Sequence, residues 1–129
     1  MSNYDAIAMY LRQLKEMPQL FELGESWLAD RLAKCRIGNE QATRDICGSC
    51  LRIAWELAQE YLDGGGDDNN DILDVVQDAN AALLRAVKSF DGSTIDALRK
   101  HVVRVIRINM ALSRNRTVTF GMRLRINPN

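Results

Sequence analysis

The sequence predicts an all-α domain, a compact bundle of about five helices. Three observations predict it. Apolar residues recur at helical spacing along most of the chain, proline, glycine and Asp/Asn clusters punctuate the stretches between, and 47% hydrophobic with 26% charged residues is ordinary for a protein with a core. At 129 residues the chain can bury one such core.

Ser2 or Asn3 can cap a first helix that runs to about Met17, where Pro18 ends it. A second helix starts around Glu25 and reaches Arg36, before a Gly38-Asn39 turn. Asn39 caps a long third helix to about Leu62, with Gly48 inside it at a cost of ~1 kcal/mol. Asp63-Gly64-Gly65-Gly66-Asp67-Asp68-Asn69-Asn70 reads as a loop; its acids do not fit EF-hand spacing and no bidentate Glu follows. A fourth helix spans roughly 71–90, with Asp71 and Asp74 near its positive N-terminus. Asp91-Gly92-Ser93-Thr94 breaks it, and a fifth covers about 95–114. The expected division is a helical domain over 1–114 and a basic, irregular tail over 115–129, with Thr117 to Phe120 extended.

No run approaches the ~18 apolar residues of a membrane span, and Met1-Ser2-Asn3-Tyr4-Asp5 lacks a basic, then apolar, secretory start. The expectation is a cytoplasmic protein. An odd count of three cysteines (Cys35, Cys47, Cys50) fits a reducing compartment. Cys47-Gly48-Ser49-Cys50 has C-x-x-C spacing, but it sits inside an expected helix, and only Cys35 and His101 could complete a zinc site. Packing cysteines are the expected reading. No nucleophile–base pair, metal cluster or phosphate loop stands out, so neither an enzyme nor a cofactor is expected.

The formal net charge of zero conceals an asymmetry. Residues 1–96 hold all 17 acidic residues against 9 basic ones, a net of −8, whereas residues 97–129 hold 8 basic residues and no acid. Such a segment either meets a polyanion or folds onto its own acidic half.

Two helices show more face than a core requires. On a wheel at 100° per residue, Ile72, Val75, Val76, Ala79, Leu83, Ala86, Val87 and Phe90 share a core sector of roughly 120°. Leu73, Gln77, Asn80 and Leu84 form a second stripe about 120° away, flanked by Asp74 and Asp78. That stripe either docks another protein or is covered by a neighbouring helix. In the fifth helix Ile95, Leu98, Val102, Val105, Ile106 and Leu112 take the core side. Opposite them, Lys100, Arg104, Arg107 and Arg114 form an acid-free basic stripe suited to a phosphate backbone.

Asp74-Val75-Val76-Gln77-Asp78-Ala79-Asn80-Ala81-Ala82-Leu83-Leu84-Arg85-Ala86-Val87-Lys88-Ser89-Phe90-Asp91 resembles the signature helix of bacterial RNA polymerase sigma factors, where Asp-Leu-Ile-Gln-Glu-Gly-Asn-x-Gly-Leu leads to Ala-Val-x-x-Phe-Asp. Leu51-Arg52-Ile53 with Ala58 and Tyr61 resembles the family's Asn-Leu-Arg-Leu-Val…Ala…Tyr segment, Cys50 replacing the Asn. Tyr10-Leu11-Arg12-Gln13-Leu14 with Pro18-Gln19-Leu20 resembles its Tyr-Leu-Arg-x-Ile…Pro-x-Leu opening. Leu28-Ala29, Arg31-Leu32, Gly38-Asn39, Ala42 and Arg44 stay in register. The likeness covers residues 10–91 well and 95–118 loosely. It implies the fold of sigma region 2 with a preceding region 1.2-like segment.

In that family the signature helix docks on the coiled coil of the beta-prime clamp. The resemblance places the polymerase-binding positions on Leu73, Asp74, Gln77, Asp78, Asn80 and Leu84, which overlap the second stripe. The next helix of the family captures the non-template strand of the minus-ten element, holding flipped bases against a Tyr and a tandem Trp pair. Here the loop after Asp91 is about three residues shorter and the aligned aromatics are Leu98, His101 and Val102. Arg104 keeps the Arg after the Trp pair, and Arg116-Thr117-Val118 resembles the later Arg-Thr-Ile. Base–aromatic stacking contributes ~1–3 kcal/mol per base, so its loss removes most of what offsets flipping. The DNA-binding expectation falls on Lys100, His101, Arg104, Arg107, Arg114 and Arg116.

The leading functional reading is a small, divergent sigma-like protein, of phage or mobile-element type, that binds core polymerase and takes part in initiation. Its expected partners are the polymerase core, promoter DNA and a second sigma-like subunit. The sequence stops at Asn129, before the domains that read other promoter elements, so promoter recognition by this chain alone is not expected. A regulator or decoy that occupies the sigma site and inhibits the host polymerase is the alternative. A helical interaction protein outside transcription is the third reading.

Overall fold

The structure is a computed structural model that describes the backbone of residues 3–64 and 72–126 and the side chains of residues 4–64 and 72–113. Among these residues it is all helical, with no strand. Its helices are α1 (Asn3–Glu16), α2 (Leu20–Leu23), α3 (Glu25–Arg36), α4 (Glu40–Ser49), α5 (Leu51–Asp63), α6 (Ile72–Ser89) and α7 (Ile95–Ile126). The acidic loop expected at 63–70 and the Asp71 position lie outside the described residues from 65 to 71.

The boundaries follow local chemistry. α1 stops two residues short of Pro18, and the single turn α2, which the sequence reading omits, leads to Gly24 at φ 91°. Gly38 takes φ 90° after α3, and its N–H and that of Asn39 donate to the last carbonyls of Cys35 and Lys34, both at 3.0 Å. The Asn39 side chain accepts the Ala42 N–H at 3.0 Å and caps α4 as expected.

The long third helix is in fact two. Cys50 (φ −110°, ψ 2°) separates α4 from α5. The cause lies one residue earlier: the buried Ser49 hydroxyl donates to Ile46 O at 2.6 Å, and Cys50 N–H bonds three residues back, to Cys47 O. A serine bonding back along its own helix competes with the regular ladder and bends it. Gly48 has a packing reason, because a Cβ there would lie 2.8 Å from Met17 Cε at the end of α1.

The core is continuous. α6 packs on α7, α5 and α4, while α3 packs on α4 and α5 on α7. Leu28, Ile46, Leu83, Leu98 and Ile106 are among its largest fully buried side chains. The predicted core face of α6 is buried at Val75, Val76, Ala79, Leu83, Ala86, Val87 and Phe90, with Ile72 half-buried, and Ala82 joins it. Tyr10 of α1 stacks on Trp55 of α5 with centroids 5.7 Å apart. Two contacts from α3 hold the α6–α7 connection: Glu25 accepts the Ile95 N–H at the start of α7, and Arg36 donates to Gly92 O.

Two expectations for the last helix change. Leu112 is 54% exposed, and Met110 takes the core position instead, because the buried positions Leu98, Val102, Ile106 and Met110 recur every four residues and carry the core face about 40° round α7 at each step. The segment after 114 continues α7 as helix to Ile126, with no glycine before Gly121 and no proline before Pro128 to interrupt it. Among the described residues no helix is long and apolar enough to cross a membrane.

Candidate functional site

The outer face of α6 carries the first candidate site. Asp74, Gln77, Asp78 and Leu84 are exposed, and no ion pair among the described residues engages either aspartate. Leu73 is half-buried. Asn80 is different: it is half-buried beside α1, its Nδ2 donates to the Tyr10 hydroxyl at 3.3 Å, and its Oδ1 is buried without a hydrogen-bond partner. The row of six therefore divides. Four residues lie open, and at the Asn80 edge the neighbouring helix supplies the cover that was the alternative to docking.

The second candidate site runs along α7, and it is less free than its sequence. Lys100 pairs with Asp96 at 2.9 Å and Arg99 with the same carboxylate at 3.3 Å, which together hold the Asp96 carboxyl below the usual range. Arg107 donates to both carboxylate oxygens of Glu60 on α5, each at 3.1 Å. Arg104 meets no carboxylate among the described residues, and its guanidinium lies 3.1 Å from His101 Nδ1. The acid-free stripe thus meets two acids, one just before the basic segment and one 47 positions earlier. The side chains of Arg114 and Arg116 lie outside the described ones.

His101 is fixed on both sides. A guanidinium only donates, so Nδ1 accepts from Arg104, and Nε2–H donates to the Ser89 hydroxyl at 3.0 Å. Its ring sits 5.7 Å from Phe90 at 41°. Leu98 and Val102, the other two positions aligned with base-stacking aromatics, are fully buried in the core. They have no surface to offer a base.

The cysteines are packing residues in their geometry. Burial pushes the Cys47 and Cys50 thiols up to about 11, so both are protonated and weakly nucleophilic at neutral pH. Cys35 Sγ lies 3.1 Å from Thr43 Oγ1 across the α3–α4 turn.

The fold and these faces define a helical domain whose candidate groups lie on exposed helix faces. Residues 48–117, from the end of α4 into α7, match the family described as sigma-70 region 2. The chain belongs to that family. It is 32% identical over 87 residues to RNA polymerase sigma factor SigA from a Bacillus species and 30% identical over 87 residues to SigA from Clostridium acetobutylicum, in each case 67% of this chain and 21% of the relative. It is also 30% identical over 90 residues to the RNA polymerase sigma-C factor of Myxococcus xanthus, covering 70% of this chain and 28% of that protein. The chain thus spans between a fifth and a third of the length of these relatives. The opening motif, Tyr10 to Leu20, lies outside the family match, whereas the signature helix α6 lies wholly within it.

Proposed function

We propose that this chain binds RNA polymerase core through the outer face of α6, on the coiled coil of the beta-prime clamp, and takes part in transcription initiation with DNA contacts from α7. The exposed row of Asp74, Gln77, Asp78 and Leu84 carries this reading, because no ion pair among the described residues engages its charges. The names of the relatives, all RNA polymerase sigma factors, support it. Among the described side chains of α7, Arg104 is the cation best placed for phosphate, and Lys100, Arg107 and His101 join it once their internal partners are exchanged.

A second reading is favoured by the burial of Leu98 and Val102. A protein that docks but cannot hold flipped bases would occupy the sigma site and inhibit the polymerase, or would need a second sigma-like subunit to melt DNA. Purified protein with core polymerase, on promoter and promoterless templates and with or without the host sigma factor, separates these. Specific initiation supports the first reading, and inhibition without initiation supports the second. Failure to bind core at all defeats both.

A further inference from the structure

We propose that the outer face of α6 also pairs with itself, joining two copies of this chain about a two-fold axis beside Ala81. Asp74, Asp78, Ala81, Arg85 and Lys88 recur at helical spacing, fall within a sector of about 80°, and are all exposed. Their order along the helix is acid, acid, alanine, base, base. Antiparallel pairing across Ala81 sets Asp74 against Lys88 of the partner subunit and Asp78 against Arg85 of the partner subunit, and the two-fold repeats both pairs. Parallel pairing would set like charges together, so the pattern selects one orientation. Alanine at the centre lets the helices approach closely, and Leu84, 41% exposed, supplies apolar contact beside it.

None of the four charged groups is committed to an ion pair within the described residues. Arg85 donates to Asn109 Oδ1 at 2.6 Å, which orients the guanidinium and leaves its charge unneutralised. Four turns of one helix offer less than the ~800 Å² per partner of a standard interface. The dimer is therefore weak and concentration-dependent. The pairing does not rest on the polymerase reading. Its consequence does: Asp74, Asp78 and Leu84 belong to both surfaces, so a second copy and the clamp would exclude each other.

Sedimentation equilibrium of the full chain, without polymerase, tests it. Between about 0.05 and 1 mM chain the protein should dimerise reversibly at ~50 mM salt and much less at ~500 mM, where screening shortens the reach of each charge. Asp74→Lys with Asp78→Arg makes the face wholly basic, and Arg85→Asp with Lys88→Asp makes it wholly acidic; each should be monomeric. Their equimolar mixture should dimerise. A wild-type monomer throughout the concentration range overturns the proposal without reference to any variant. So does a dimer that survives both reversals, or a mixture of folded variants, checked by circular dichroism, that stays monomeric. Loss of polymerase binding would leave these results untouched.

Discussion

The outer faces of α6 and α7 look alike in sequence and differ in the folded chain. Both are charged stripes opposite a core face. On α6, Asp74 and Asp78 have no ion-pair partner among the described residues, whereas on α7 Lys100 and Arg107 are already paired and Arg104 leans on His101. An exposed ion pair stabilises by little, ~0–1 kcal/mol, so these α7 contacts are exchangeable. They still set a cost for any phosphate that would replace them. The acids of α6 carry no such cost, and a partner meets them already free.

The largest expected effect removes the comparison altogether. Ile106 is fully buried on the core side of α7, and Ile106→Ala should lower stability by ~2–5 kcal/mol in urea denaturation, taking polymerase and DNA binding down together. Loss of one without the other would show that the two faces do not share a foundation. Next, Asp74→Ala with Gln77→Ala should weaken binding to core polymerase by ~2 kcal/mol or more, while stability falls only by the ~0.3–1 kcal/mol of the lost acid at the start of α6. Unaltered affinity in a pull-down titration would remove α6 as the docking face. Arg104→Ala should lower the slope of log affinity for DNA against log salt by ~0.9, one phosphate contact. The smallest change runs in the other direction. Glu60→Gln releases Arg107, and DNA affinity at low salt should rise while the slope steepens by up to ~0.9. A flat response would mean that Arg107 does not face DNA.

Much of this was legible from periodicity. The wheel picked out six of the seven residues that α6 buries, and Phe90 just past its end, because the valines and leucine mark out a sector and Ala79 and Ala86 fall inside it. Ala82 escaped it because, at 100° per residue, it lies about 20° beyond the edge of that sector. The break at Cys50 was hidden, because its cause is a serine hydroxyl turning back on its own helix, with no proline or glycine at the break. Leu112 was misplaced for a different reason: a wheel assumes a core sector that stays fixed, and here the sector moves round α7 with each four-residue step from Leu98 to Met110. At the candidate sites, the open part of the α6 row could be read locally. The Glu60–Arg107 pair could not, because only the packing of α5 on α7 brings the two together. The cover over Asn80 likewise depends on α1, 70 positions away.

The two contacts that α3 makes with the α6–α7 connection reach further than the loop they touch. Glu25 opens that helix and Arg36 closes it, so a rod of twelve residues is fastened at both ends, once to the start of α7 and once to Gly92. A rod of ~18 Å clamped across a corner makes the corner a set-square. The α6 edge and the α7 edge then leave that corner at an angle that the α3 brace helps to hold. Any assembly that grips both edges receives that angle as given, and must shape itself to fit.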